Sequence, residues 1–432
     1  MKIAIHWFRR DLRWEDNTAL YHALQGNLPV LCLFIFDSVI LDSLPQQDRR
    51  VVFIHEQLQK LHLALQQQGS SLLVKYGRPQ EVWEELLQTY DIGAVYCNRD
   101  YEPYPQERDK SIYALLSARQ IVFKGYKDHV IFEKNEVSKS DGTPYTVFTP
   151  YSKRWKEMYL HHAPASYESV EHSRHFYPTS TPYHLPSLTD IGFEALNCDF
   201  PSADFPLSLI EKYAEQRNFP AYQSTTHLGI HFRFGTISIR QAVRLAMQKS
   251  MVWLNELIWR DFFQSILYHF PHTATQAFKP GYDSIQWLNR ASDFEAWCNG
   301  KTGYPLVDAG MRELNATGFM HNRIRMLVAS FLTKHLLIDW RWGEAYFAAR
   351  LLDYDMAANV GGWQWAAGSG CDAAPYFRIF NPMLQANKFD PQQLYIKKWL
   401  PEWGTSAYAP PIVEHTIARA RVLAAYRLAL GK

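Results

Sequence analysis

Apolar runs of strand length alternate with amphipathic helical segments from Lys2 to Tyr126. The clearest run is Pro29-Val-Leu-Cys-Leu-Phe-Ile-Phe36, in which every residue is apolar. After it, Val51, Ile54 and Leu58 recur at helical spacing. Strands that are apolar on both faces are typical of a parallel sheet with helices on both sides. The pattern therefore predicts a doubly wound, Rossmann-like α/β domain.

This domain is expected to contain five strands, at residues 2–8, 29–36, 72–76, 94–98 and 122–126. Its helices are expected at residues 51–65, 79–90 and 106–119, with a short one capped near Asp16-Asn17. The first strand is not followed by a G-x-G-x-x-G fingerprint. A ligand of this domain would lie at the carboxyl ends of the strands, near residues 9–13, 36–37 and 98–104.

The composition and periodicity of the sequence change twice in the rest of the chain. Residues 129–204 contain a stretch crowded with Pro, Ser, Thr, Tyr and His, which indicates a long connector between two domains. Beyond it, helical periodicity dominates, in segments 213–217, 238–247, 253–267, 305–314, 321–337 and 342–352. The sequence therefore predicts an α/β domain over residues 1–128, a connector over 129–204 and an all-helical domain over 205–432.

Charge and cysteine usage exclude several classes of protein. The net charge of the chain is only +2, so a polyanion must be met by a local basic patch. The five cysteines lack C-x-x-C spacing, which argues against a disulfide framework and against a zinc site, and no other metal site is expected. No apolar run is long enough to span a bilayer. We expect a cytoplasmic protein without a membrane partner.

The stretch from Leu351 to Asp390 is the most unusual part of the helical half. Its centre reads Met356-Ala-Ala-Asn-Val-Gly-Gly-Trp-Gln-Trp-Ala-Ala-Gly-Ser-Gly370. Paired glycines carry no Cβ and allow the backbone to approach something flat. A tight turn in an aromatic core is one interpretation. Two acids upstream, an amide and a following arginine favour a cofactor site instead.

A hydroxyl-rich loop, Ser224-Thr-Thr-His-Leu-Gly229, enters a predicted helix. Hydroxyls and free backbone N–H groups at a helix N-terminus suit a phosphate or diphosphate, although a capping box explains the pattern equally well.

Two helical faces carry polar groups among aromatic and apolar ones. Glu256, Trp259 and Arg260 share one face at positions i, i+3 and i+4. Asn322, Arg325 and Met326 repeat that spacing on another helix. A solvated salt bridge beside a half-buried tryptophan is the plain interpretation. A site for a flat polar ligand is the functional one.

These strings together resemble the photolyase/cryptochrome family. The resemblance begins at His6-Trp-Phe-Arg-Arg-Asp-Leu-Arg13, includes Thr302-Gly-Tyr-Pro-Leu-Val-Asp-Ala-Gly-Met-Arg312, and ends near Ile412-Val-Glu-His415. Asn322, between His321 and Arg323, with Glu256 upstream, is most similar to class I cyclobutane pyrimidine dimer photolyases. The resemblance implies an antenna domain at the N-terminus and an all-helical domain that binds non-covalent FAD in its reduced form, FADH⁻.

The resemblance also implies which residues hold the flavin. Asn359 would face the flavin N5, Arg325 and Asp353 would pair beside the ring system, and Asp355 would bond its edge. The full cofactor-binding set comprises Tyr213, Thr225, Thr226, His227, Leu228, Gly229, Trp253, Glu256, Arg260, Asn322, Arg325, Asp353, Asp355 and Asn359.

Further residues are implied for the substrate and for electron transfer. Glu256 would stabilise negative charge arriving on the lesion, and Trp259 and Trp365 would stack on it. The full DNA-binding and lesion-binding set comprises Glu256, Trp259, Asn322, Arg323, Met326, Trp365, Arg378 and Lys388. The catalytic set comprises Glu256, Asn359 and three tryptophans, Trp363, Trp340 and Trp287, that would pass an electron to oxidised flavin.

The resemblance further implies an antenna chromophore in the α/β domain. Tyr104-Pro105 stands where folate-binding members carry an Asn-Glu pair, and residues 269–286 lack paired lysines. A deazaflavin, a second flavin or no chromophore at all remain as alternatives.

The function implied is light-driven repair of cyclobutane pyrimidine dimers in DNA by a monomeric lyase. Repair of the (6-4) lesion is an alternative, but it uses a histidine pair in this family, and Asn322 occupies one of those places. A blue-light photoreceptor that signals without repair is another. A flavoprotein with a vestigial lesion pocket is the third.

Overall fold

The structure is a computed structural model that describes residues 1–169, 171 and 175–431. The chain divides into two compact units. Unit 1 comprises Met1–Glu136, Lys156–Phe205 and His227–Leu245. Unit 2 comprises Val137–Trp155, Pro206–Thr226 and Ala246–Lys432. Among the described residues, no helix has both the length and the apolar composition needed to cross a bilayer.

Five parallel strands form the sheet of unit 1, in the order β3-β2-β1-β4-β5. The strands are β1 (Ile3–Phe8), β2 (Val30–Asp37), β3 (Leu72–Gly77), β4 (Ile92–Asn98) and β5 (Val122–Tyr126). Ile5 of β1 lies opposite Leu31 on one side and Val95 on the other. All five predicted strands are confirmed, because continuous apolar runs mark strands buried on both faces.

The described residues also form nineteen α-helices. They are α1 (Thr18–Leu24), α2 (Ser38–Leu41), α3 (Arg49–Gln67), α4 (Pro79–Thr89), α5 (Pro103–Ser117), α6 (Phe148–His161), α7 (Leu207–Glu211), α8 (Tyr213–Gln216), α9 (Gly229–Phe234), α10 (Ile239–Lys249), α11 (Met251–His269), α12 (Ala291–Cys298), α13 (Pro305–Thr317), α14 (Asn322–Ser330), α15 (Trp340–Arg350), α16 (Met356–Ala367), α17 (Pro382–Phe389), α18 (Leu394–Trp399) and α19 (His415–Ala429). Short 3₁₀ turns occur at Thr189–Ile191, Pro271–Ala274 and Pro280–Ser284.

Local sequence explains where the helices of unit 1 begin. Asn17 caps α1, accepting a hydrogen bond from the backbone N–H of Leu20, as predicted. Proline stands at the start of α4 and α5, where its missing N–H costs nothing. Apolar residues of β1, β2 and β4 then pack with α4, where Trp7 and Trp83 meet edge to face at 5.5 Å.

The core of unit 2 is built from helices, as predicted for the C-terminal half. Buried residues of α13, α14, α15, α16 and α18 form one apolar cluster. The helical segment predicted over residues 321–337 is α-helical only as far as Ser330. There α14 gives way to a π-helical turn, Phe331–His335, in which the N–H of Leu336 reaches back to the carbonyl of Phe331.

The glycine pair in the stretch 351–390 lies inside α16, so the tight-turn interpretation is wrong. A Cβ on Gly361 would lie 2.3 Å from the ring of Phe263, so this glycine allows α16 to pack against α11. Likewise, a Cβ on Gly343 of α15 would lie 2.1 Å from the indole of Trp363. Both glycines allow a backbone to approach a flat side chain closely, and they bring the helices of the candidate site together.

Candidate functional site

Three helices of unit 2 carry nearly half of the predicted site residues. Glu256, Trp259 and Arg260 lie on α11, and Asn322, Arg325 and Met326 lie on α14. The third helix, α16, carries Asn359, Trp363 and Trp365. Both α11 and α14 contact α16. Segments that are far apart in the sequence therefore meet in one part of this unit.

Glu256 forms an ion pair with Arg217, a residue that the sequence analysis missed. Both side chains are about one-third exposed, at 31%. Burial raises the pKa of Glu256, while the guanidinium groups of Arg217 and Arg323 oppose that shift. Arg217 follows Tyr213 by four residues, and its guanidinium lies 5.7 Å from the Tyr213 ring. The four-residue spacing from Tyr213 was the one sequence signal for Arg217. No local sequence pattern indicated that Arg217 pairs with Glu256.

The charges of Arg217 and Arg323 both act on this carboxyl group. Arg323 donates to the Asn218 side-chain oxygen at 2.5 Å, and its guanidinium lies 4.5 Å from the Phe389 ring. Burial lowers the pKa of Arg323, and the nearby charges of Arg217 and Arg378 lower it further. Arg378 and Lys388 are exposed. We call Arg217, Arg323, Arg378 and Lys388 the cationic rim.

Asn359 is oriented by a second residue that the sequence analysis missed. Its side-chain amide donates to the carboxylate of Glu344 at 2.9 Å and to the backbone carbonyl of Glu344 at 3.1 Å. The Tyr354 hydroxyl approaches the same carboxylate at 3.4 Å. Burial raises the pKa of Glu344, and the bonds from Asn359 and Tyr354 oppose the shift. With its N–H groups engaged, Asn359 has its side-chain oxygen left as an acceptor.

Two further acids on the approach to α16 have defined partners. Arg325 and Asp353 form an ion pair at 2.9 Å, and the Arg325 Nε donates to the Met320 carbonyl at 2.7 Å. Asp355 caps α16 by accepting from the N–H of Ala358. Both of its oxygens also lie 3.0 Å from the side-chain nitrogen of Gln264.

The remaining predicted cofactor residues lie in both units. Tyr213, Thr225, Thr226 and Trp253 belong to unit 2, with Trp253 buried in α11 and the other three half-buried. Burial raises the pKa of the Tyr213 phenol, and the charge of Glu256 raises it further. His227, Leu228 and Gly229 belong to unit 1; His227 has a left-handed φ of 53°, and Gly229 begins α9.

The surface of α16 suits a flat polar ligand such as a flavin. Gly362 lies three residues after Asn359 and is therefore on the same face. It is exposed, and a Cβ there would meet no described atom within 4 Å. Unlike Gly361, Gly362 is not needed for helix packing. An open glycine on the same helix face as an oriented amide provides a flat surface and a polar group of the kind that a flavin needs.

Trp259 and Trp365 together line one cleft. Its empty volume is about 430 Å³, part of which is open to solvent, and its walls also include Phe263, Val360 and Asp372. Trp365 lies 6.5 Å from Phe380, at a tilt of 36°. Trp259 stacks directly on Phe148, with ring centroids 3.7 Å apart. Asn322 is exposed and Met326 is half-buried at the start of α14.

The three predicted electron-transfer tryptophans differ in their surroundings. Trp363 is buried, at 2% exposure, and lies 5.0 Å from Phe347 and 6.0 Å from Trp297. Trp340 is equally buried and begins α15, with the Arg341 guanidinium 4.8 Å from its ring. Trp287 is half-buried and meets Tyr426 edge to face at 6.1 Å. Burial therefore decreases from Trp363 to Trp287.

In unit 1, ion pairs occupy much of the predicted ligand region. Arg9 pairs with Asp109 at 2.5 Å, and Arg10 pairs with Glu102 at 2.8 Å. Beside them, Tyr104 donates to Asp37 at 2.7 Å. At the ends of β2 and β3, Val39, Ile40 and Tyr76 are exposed at 46%, 43% and 44%. Across the described ranges of both units, no cluster of three or more His, Cys, Asp or Glu side chains is arranged to hold a metal ion.

Comparison with known proteins identifies the family. A profile described as "DNA photolyase" matches residues 4–168, and one described as "FAD binding domain of DNA photolyase" matches residues 253–406. A deoxyribodipyrimidine photo-lyase of Synechococcus is 38% identical to this chain, covering 98% of the chain and 96% of the relative.

Two crystal structures of photolyases resemble the chain over almost its whole length. A class III photolyase from Agrobacterium tumefaciens matches with a TM-score of 0.88 and 30% identity, covering 100% of this chain and 98% of the other. A photolyase from Sulfolobus tokodaii with two FAD molecules matches with a TM-score of 0.84 and 34% identity, covering 99% and 100%. The predicted fold class, a parallel α/β sheet followed by an all-helical FAD-binding region, is confirmed. The chain therefore belongs to the DNA photolyase family.

Proposed function

We propose that this protein is a deoxyribodipyrimidine photo-lyase that splits cyclobutane pyrimidine dimers in DNA with the energy of light. The observation that carries the proposal is the ion pair of Glu256 with Arg217, on the helix that also presents Trp259. The relatives that match over the whole chain are named for that activity. The family's FAD-binding region includes Glu256 and Trp259.

FAD would be held by polar groups at the contacts of α11, α14 and α16. Asn359 would present its side-chain oxygen, and the Arg325–Asp353 pair would lie beside the ring system. The other unit 2 residues proposed for the cofactor are Tyr213, Thr225, Thr226, Trp253, Glu256, Arg260, Asn322 and Asp355. Bound FAD in its reduced, excited form supplies the electron that opens the dimer.

Glu256 would stabilise the charge that arrives on the lesion. Burial raises the pKa of Glu256, and the charges of Arg217 and Arg323 oppose that shift. The ionised carboxyl pairs with Arg217, and the protonated carboxyl would donate a hydrogen bond to a pyrimidine carbonyl. Arg217 fixes the orientation of the carboxyl and adds a positive charge beside it. The carboxyl group and the guanidinium are therefore already in place before an electron would reach the lesion.

The lesion would be taken out of the duplex into the cleft. A dimer stacks and pairs poorly, so flipping it costs less free energy than flipping normal bases. Trp259 and Trp365 supply aromatic surfaces in the cleft, and Asn322 and Met326 lie at the start of the neighbouring helix. Arg323, Arg378 and Lys388 of the cationic rim would bind the flanking phosphates.

The three tryptophans would supply electrons to oxidised flavin rather than to the lesion. We place Trp363 first, because it lies on α16 together with Asn359, Trp340 second, and Trp287 last, because it alone of the three is half-buried. A half-buried terminal indole is accessible to a reductant in solution.

The remaining assignments rest on the sequence pattern. We propose an antenna domain over residues 1–128, a connector over 129–204 and a catalytic domain over 205–432, in a cytoplasmic monomer. A second chromophore would lie at the exposed Val39, Ile40 and Tyr76, at the carboxyl ends of the strands. The absorption spectrum of the purified protein would reveal it. No feature of the described residues favours a blue-light photoreceptor that signals without repair, and none favours repair of the (6-4) lesion.

The test is to illuminate the purified, reduced protein with DNA that contains cyclobutane dimers and to measure restored thymine. We expect repair in the light and none in the dark. The matched control is DNA that carries a (6-4) lesion, which we expect to remain unrepaired. Illumination that restores no thymine would overturn the proposal.

A further inference from the structure

Phe148 lies flat against Trp259. The ring centroids are 3.7 Å apart and the planes differ by only 4°, which is a face-to-face stack at van der Waals distance. Phe262 meets both rings edge-on, at 5.9 Å from Phe148 and 5.5 Å from Trp259. One face of the Trp259 indole is therefore covered by an aromatic side chain of this chain itself.

Phe148 is in turn fixed by the loop that follows α16. It is the first residue of α6, and its backbone N–H donates to the carboxylate of Asp372 at 3.0 Å. Asp372 lines the cleft together with Trp259 and Trp365. This bond satisfies one of the free N–H groups at the start of the helix. Phe148 therefore connects the helix that carries Trp259 with the loop that borders Trp365.

This arrangement has a consequence for binding a flipped base. An indole has two faces, and here Phe148 occupies one, so a base is able to stack only on the other. Binding that must first order a rotamer costs free energy, and an indole that is already held in place avoids this cost.

We propose that Phe148 is a positioning residue that holds the Trp259 indole in its lesion-stacking orientation and so contributes to the preference for damaged DNA. The proposal rests on the proposed function, because it assigns Trp259 to the lesion. Phe148 itself need not touch the substrate. Both rings are only half-buried, so their stack lies outside the apolar core of the unit.

The experiment compares Phe148→Leu with Phe148→Tyr. Leucine keeps an apolar contact but removes the aromatic stack, whereas tyrosine keeps the stack. We expect Phe148→Leu to bind dimer-containing DNA about threefold to tenfold more weakly, with unchanged affinity for undamaged duplex. Phe148→Tyr should restore lesion affinity to within about twofold of the wild type. The near-ultraviolet circular dichroism of the leucine variant alone should change.

Phe294→Leu is the matched control, because Phe294 also packs parallel to a tryptophan, Trp297, at 5.8 Å, but away from the cleft. It should retain full lesion preference. The inference is overturned if Phe148→Leu keeps the wild-type preference, if Phe148→Tyr fails to restore it, or if Phe294→Leu loses as much. If the wild-type protein itself prefers neither DNA, the proposed function fails and the inference fails with it.

Discussion

Asn359 donates both of its amide hydrogen bonds to Glu344, at 2.9 Å to the carboxylate and at 3.1 Å to the backbone carbonyl. The two residues are 15 positions apart, on α16 and α15. Because the amide is held on its nitrogen side, its oxygen faces away from Glu344. Glu344 therefore decides which atom of Asn359 is available to a ligand.

Glu344→Ala should loosen Asn359 and destabilise the reduced cofactor. A hydrogen bond to a charged group contributes ~1.5–3 kcal/mol, so we expect reoxidation in air to be about tenfold faster. Glu344→Gln keeps an acceptor and should stay within about threefold of the wild type. Reoxidation is followed by the recovery of flavin absorbance. Equal rates for the alanine variant and the wild type would show that Glu344 has no such role.

Glu256→Gln should bind the lesion nearly as well as the wild type and repair it less efficiently. Glutamine still bonds Arg217 and a pyrimidine carbonyl, but it neither titrates nor carries charge. We expect repair per absorbed photon to fall roughly threefold. The measurement is thymine restored per photon at saturating DNA. An unchanged yield would rule out a catalytic role for Glu256.

Trp340→Phe should block photoreduction of oxidised FAD and leave repair intact after chemical reduction. Phenylalanine is much harder to oxidise than tryptophan, and the buried site accepts its smaller ring. Trp297→Phe is the matched control, since Trp297 also contacts Trp363 but lies outside the proposed relay. If Trp297→Phe blocked photoreduction and Trp340→Phe did not, the electron would pass through Trp297 instead.

Arg378→Ala should weaken binding to damaged and undamaged DNA alike. Each phosphate contact contributes about −0.9 to the slope of log affinity against log salt, so losing one should flatten the slope by about that amount. Trp259→Ala should leave the slope unchanged and reduce lesion preference, because stacking contributes ~1–3 kcal/mol per base. Both variants are titrated with both DNAs across a salt series. If Arg378→Ala lost its preference for damaged DNA while its salt slope stayed unchanged, the assignment of phosphate binding to Arg378 and of lesion preference to Trp259 would be wrong.

The free energy of unfolding should decrease as the pH falls from 7 to 5. Burial lowers the pKa of His6 to about 4 and that of His335 to about 3, so between these values and about 6.5 the unfolded chain binds more protons. Each histidine then contributes a loss of about 2 kcal/mol between pH 7 and 5.

His6→Leu should remove the contribution of His6 to the decrease in unfolding free energy between pH 7 and 5. Both ring nitrogens of His6 are buried without a hydrogen-bond partner among the described residues, so leucine gives up no hydrogen bond. Urea unfolding at the two pH values measures the difference. A wild-type pH dependence in His6→Leu would mean that His6 is charged, or exposed, in the folded protein.

Local pattern by itself determined the strands and most helices. Continuous apolar runs identify strands buried on both faces, as in β2, and side chains such as Asn17 mark helix starts because they bond the nearest free N–H groups. The i, i+3 and i+4 spacing also placed Glu256 beside Trp259 correctly, since helical geometry alone decides which residues share a face.

Partners across helices were decided only by the tertiary structure. Arg217 is 39 residues from Glu256, and no periodicity relates the two. The partners of Glu344 and Phe148 were not predictable for the same reason: they depend on how closely α15 and α16 approach and on where α6 begins. Gly361 and Gly343 allow that approach, yet their effect depends on rings contributed by other helices. Local sequence determines which face of a helix is polar, whereas helix packing determines which charge or ring that face meets.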